Sequence, residues 1–67
     1  MKTAEELYQY IMNQTRRTMA LRKQYGKDDA LYLRNVAKLS GMLELFAVAT
    51  GETFASYQRE HHLGVKA

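Results

Sequence analysis

Few residues in this chain have the type and spacing to do chemistry. Glu60-His61-His62 is the only run with metal-ligand character. Adjacent residues on a helix point about 100° apart, so the two imidazoles do not chelate together. Four residues upstream stand Tyr57 and Gln58, poor zinc ligands beside His, Cys or carboxylate. Ser40 and Ser56 lack a glycine-rich elbow, and neither has a His at helical spacing to activate its hydroxyl. The acid pairs Glu5-Glu6 and Asp28-Asp29 sit where helices should start, and capping and the helix dipole account for acids there. The absence of Cys removes thiolate nucleophiles, thiolate metal sites and disulfides. A substrate pocket is also hard to build in 67 residues. The expectation is a non-enzymatic chain with no catalytic residue, metal or cofactor.

Charge offers a second chemistry. Arg16, Arg17, Arg22, Lys23, Lys27, Arg34 and Lys38 crowd the middle of the chain against only Asp28 and Asp29. Such a cluster could hold a phosphate backbone or an acidic protein, with Arg16, Arg17, Lys23 and Lys27 as the nucleic-acid contacts. The plainer reading is that bases in the last turn of a helix complement its dipole and keep the surface soluble. The formal net charge is only +3, and no aromatic stacking platform is interleaved with the bases.

The run Val36-Ala37-Lys38-Leu39-Ser40-Gly41-Met42 resembles the first half of a helix-turn-helix DNA-binding motif. That resemblance implies a turn at Gly41 followed by a recognition helix. A recognition helix presents polar side chains to base edges, whereas here Leu43-Glu44-Leu45-Phe46-Ala47-Val48-Ala49 follows. One continuous helix, with Gly41 as a close-packing point, explains the same letters.

The elements that would position these residues are helices. The chain has no Pro and four Gly, which leaves few places to break one. Thr3 and Glu6 fit a capping box ahead of a helix over about 4–25. Gly26 follows it, where a left-handed cap is wanted. Asp28 and Asp29 open a second helix over about 29–49, and Thr50-Gly51 ends it. A short third helix is expected over about 52–62, with Gly64 as its stop. Short connections make the first two an antiparallel hairpin. The fold class is therefore all-α, a single helical domain over 1–67.

Leu7, Ile11, Gln14, Thr18, Leu21 and Tyr25 alternate four and three apart, as in a coiled-coil seam. The middle of that seam is polar, with Gln14, Thr15, Thr18 and Arg22 in or beside it. Buried polar groups are costly unless hydrogen-bonded. Two explanations tie them to association: the seam faces water or a partner at that level, or paired polar side chains fix register in an oligomer. Arg22 can also lie along apolar surface and lift its head to water, or anchor an interface.

The second helix carries a like seam at Tyr32, Val36, Leu39, Leu43 and Phe46. Its apolar arc is wider than one neighbour can cover, with Leu31, Met42, Leu45 and Ala49 on one side and Leu33, Ser40 and Ala47 on the other. Across its back run Ala30, Ala37, Gly41 and Val48. A helix apolar nearly all round is a buried helix. Below about 70–80 residues one core rarely supplies more than ~3–5 kcal/mol, and oligomerisation is a common remedy. A homo-oligomer is therefore expected, with a dimer favoured as a four-helix-type bundle. The candidate oligomer or partner contacts are Gln14, Thr18, Arg22, Ala37, Gly41, Met42 and Leu45.

No apolar stretch approaches the ~18–20 residues needed to cross a bilayer, and Glu44 interrupts the longest, Met42–Ala49. Acids stand near the N-terminus where a signal peptide has its apolar run, and a Cys-free small chain suits a reducing cytoplasm. In size and charge the chain resembles the small accessory proteins of bacteriophages and mobile elements. The expected function is protein binding or regulation through helix-face contact, with no membrane. Nucleic-acid binding through the basic cluster is the alternative.

Overall fold

In the computed structural model, which describes residues 3–63, the chain forms three helices. They are α1 (Ala4–Tyr25), α2 (Ala30–Thr50) and α3 (Phe54–Glu60). The fold is all-α. α1 and α2 pack closely as a hairpin, and α3 touches α2 over a shorter length.

Each boundary has a local cause. At the start of α1, the Glu6 amide donates to Thr3 Oγ1 at 3.2 Å, and the Thr3 amide donates to Glu6 Oε1 at 3.3 Å. This is the expected capping box. α1 ends as the Gly26 amide donates to the Arg22 carbonyl at 2.8 Å. Gly26 does not take the expected left-handed helical conformation, because φ is 98° and ψ is 163°. That is a positive-φ extended region open essentially to glycine alone, and it swings the chain back towards α2. Asp29 then caps α2 with one carboxylate oxygen, which accepts from the Leu31 and Tyr32 amides at 2.9 and 3.1 Å.

α2 runs unbroken through Gly41. The turn implied by the helix-turn-helix resemblance is absent, since nothing in Leu39–Leu43 competes with the helical hydrogen bonds. Gly51 closes α2 in the left-handed conformation, φ 80° and ψ 8°. Thr53 caps α3 through the Ser56 amide at 3.1 Å.

α3 is shorter at both ends than 52–62. Its C-terminus is a Schellman motif: the His62 amide donates to Arg59 O, and the Leu63 amide donates to Gln58 O at 2.8 Å. His62 holds the left-handed position at φ 56°, a place usually taken by Gly. The expected stop, Gly64, lies outside the described residues.

The core is small and aromatic. Tyr8, Ile11, Phe46 and Tyr57 are buried, and Leu7, Met12, Leu39, Met42, Leu43 and Phe54 pack against them. Tyr8 stacks on Phe54 at 4.8 Å between ring centroids. The Phe46 ring meets Phe54 and Tyr57 edge-on at 5.3 and 5.4 Å. These are the offset and edge-to-face arrangements that ring quadrupoles favour. Gln58 Nε2 donates to Tyr8 Oη at 3.3 Å, tying α3 to α1. α3 therefore plugs the open end of the hairpin, away from the α1–α2 turn.

Candidate interaction surface

The polar middle of the α1 seam faces α2 of the same chain. Gln14 is 7% exposed and Thr18 2%. Gln14 Nε2 donates to Asn35 Oδ1 at 2.9 Å, and Thr18 Oγ1 donates to the Gln14 carbonyl at 2.8 Å. Thr15 Oγ1 donates to Ile11 O at 2.9 Å. These side chains are thus satisfied within the hairpin, and Gln14 and Thr18 lie on no surface that another chain could reach. No second chain is therefore needed to account for these polar groups in the seam. The reason lies in Asn35, whose position on α2 supplies the acceptor. Its spacing of four from Leu31 and Leu39 marks it as a candidate, and the sequence reading passed over it.

The other side of the hairpin is different. Of the residues of α2, only Phe46 is fully buried. Leu33 is 50% exposed, Leu45 63% and Val48 77%. Ala30, Arg34, Ala37, Ser40, Gly41 and Glu44 are exposed beside them. A Cβ built on Gly41 would meet nothing within 4 Å. At 100° per residue these residues centre on one line of α2, turned about 160° from Phe46. That line faces away from both α1 and α3. Ala37 and Gly41 therefore stand on an open face, and Leu45 at its border with α1.

Among the described residues no further element lies over this side of α2.

A second feature lies between α1 and α2. Leu7, Tyr10, Ile11, Met42, Leu45, Phe46 and Ala49 line a wholly apolar groove of about 300 Å³. Met42, half-buried, forms part of its floor. Next to it is a shallower polar recess of about 200 Å³, lined by Tyr10, Asn13, Gln14, Arg17 and Lys38. The hairpin thus brings Arg17 and Lys38 together.

The remaining bases are less concentrated. Arg16, Arg22, Lys23 and Lys27 are all exposed. Arg16 and Lys23, seven apart, share one face of α1, while Arg17 is turned about 100° from Arg16. The cluster seen in sequence is therefore divided between faces. Arg22 projects from the surface of the last turn of α1, where a base complements the dipole.

Among the described residues, no group of three or more His, Cys, Asp or Glu is placed to hold a metal. His61 and His62 are exposed, and His61 lies against the Tyr57 ring at 4.3 Å. No helix among the described residues is long and apolar enough to cross a membrane. No protein-family model, curated protein or solved structure matches the chain.

Proposed function

We propose that this chain is a non-enzymatic binding or regulatory protein that works by docking the outer face of α2 on another polypeptide. The observation that supports it most is the exposure of Leu33, Leu45 and Val48 on the outer side of one helix, within an arc of about 120°. Scattered surface leucines need no explanation, but large apolar side chains gathered on one side of a helix, among small residues and two opposite charges, mark an interaction site. Burying a Leu or Val side chain yields about 1.5–3 kcal/mol, so these three positions hold much of the association energy that the chain leaves unused.

The test replaces Leu33 and Val48 by Lys. Both are already exposed, so helix content by circular dichroism stays as in the wild type. Association, whether with itself or with a protein of the native host, falls by at least about tenfold, since charge is depleted from the centre of such contacts. The competing outcome is nucleic-acid binding. If the chain shifts duplex DNA with a steep log–log salt dependence, and Ala at Arg16, Arg17, Lys23 and Lys27 abolishes the shift while the Lys pair does not, the docking reading fails.

A further inference from the structure

We infer that the occupant of this open α2 face is a second copy of the same chain, bound antiparallel across a two-fold axis at the level of Leu39. The inference rests on the docking reading above and specifies its partner. It comes from a second four-three seam on α2, set on the face opposite the hairpin contact. Ala30, Arg34, Ala37, Gly41, Glu44 and Val48 alternate four and three apart, and all are exposed. The order along this seam is palindromic in chemistry about position 39. Ala37 and Gly41 lie equally far from it on either side, as do Arg34 and Glu44, and as do Ala30 and Val48.

A two-fold interface is self-complementary: residue i meets j, and j meets i. Laid antiparallel, the seam sets Ala37 on the second copy's Gly41, Arg34 on the second copy's Glu44, and Ala30 on the second copy's Val48. Each contact occurs twice. The two inner layers are the smallest, so the helix axes can approach to about 8 Å, the close end of the usual range. Nothing of the chain itself stands within 4 Å of a Cβ at Gly41 to obstruct that approach. Outside the seam the same register brings Leu31 beside the second copy's Leu45 and Leu33 beside its Ala47. Leu31, Leu33 and Leu45 are 44%, 50% and 63% exposed in the single chain. Lys38 and Ser40 flank the axis, where a lysine stem can lie along the seam and lift its ammonium to water.

Charge selects the direction. Parallel pairing would set Arg34 on Arg34 and Glu44 on Glu44, repulsive at both ends. Antiparallel pairing makes two Arg–Glu pairs. The seam also runs the length of α2, 21 residues, or about 30 Å.

The experiment is a charge swap read by sedimentation equilibrium of the full chain. Arg34→Glu puts Glu on Glu twice in its own dimer, and Glu44→Arg puts Arg on Arg twice. Each variant alone dissociates at least about tenfold more readily than the wild type at low salt, by like-charge repulsion at the contact. An equimolar mixture of the two regains both Arg–Glu pairs, and so regains the dimer mass. The double variant Arg34→Glu/Glu44→Arg dimerises like the wild type.

Gly41→Leu supplies an independent arm. The chain has room for it, so the monomer folds at least as stably, while the close approach of the axes is blocked and the dimer is lost. A wild-type monomer at high micromolar concentration overturns the inference. So does a dimer that survives both single charge variants, or a mixture that fails to restore what the single variants lost. The docking reading is judged separately by the Leu33→Lys/Val48→Lys pair against host proteins, so a monomeric wild type leaves that test intact.

Discussion

The hydrogen bond between Gln14 and Asn35 can be taken apart one side at a time, and its two halves should not cost the same. Gln14 is 7% exposed, whereas Asn35 is only half-buried. In Asn35→Leu the Gln14 amide loses its 2.9 Å acceptor and keeps only a 3.5 Å contact with Thr18 Oγ1. Water cannot readily replace what was lost. A stranded buried polar group costs about 1–3 kcal/mol. In Gln14→Leu the stranded group is Asn35 Oδ1, which solvent can reach. Leucine meanwhile places apolar surface in a buried position, so the net change should stay within about 1 kcal/mol of the wild type.

Removing both partners leaves no orphan, and Gln14→Leu/Asn35→Leu should be at least as stable as the wild type. Since about 1 kcal/mol moves the melting temperature by ~4–8 °C in a domain this small, Asn35→Leu alone should melt roughly 4–24 °C low. The assay is thermal and urea unfolding by circular dichroism at one fixed protein concentration, because any self-association adds its own stability by mass action. If Gln14→Leu is the costlier single change, or if the double variant shows the sum of the two losses, the assignment of Gln14 as the buried dependent partner is wrong.

Four further outcomes follow from single residues. Phe46, 1% exposed at the centre of the aromatic cluster, should lose about 3–5 kcal/mol on change to Ala; that matches the whole core energy of a chain this small, so the far-ultraviolet spectrum at 25 °C should be largely unfolded. Gly26→Ala should destabilise by about 1–3 kcal/mol, because φ 98° with ψ 163° is a glycine-only region. Gly41→Ala, in an exposed helix interior with open space around it, should instead stabilise the monomer by ~0.8–1.0 kcal/mol; urea midpoints at low micromolar concentration give both signs. His62→Gly should raise stability by about 0.5–1 kcal/mol, because a left-handed residue with φ 56° relaxes when its Cβ is removed, and an unchanged midpoint would mean that the motif carries no strain.

The sequence alone determined what depends on neighbours in the chain. Thr3 with Glu6, Asp29 and Gly51 act within a few residues of themselves, so the starts and stops of α1 and α2 could be read from spacing and residue type. The four-three alternation at Leu7, Ile11, Gln14 and Thr18 likewise named the face that α1 buries, because helical periodicity is a local property. What spacing could not supply was the partner of each face. The acceptor that satisfies the Gln14 amide is Asn35, 21 residues further on, and only the hairpin brings the two together. Gly26 was legible as a stop but not in its conformation, since the direction of the exit depends on where α2 must lie. The end of α3 was misplaced because His62 takes a position that composition assigns to Gly, held there by carbonyls of Gln58 and Arg59. Helix α2 makes the division plainest. Periodicity showed that it was apolar on more than one side, and only the packing of α1 and α3 decided which side is filled and which is left open. A hydrophobic face is a property of one helix, but its burial is a property of the elements around it.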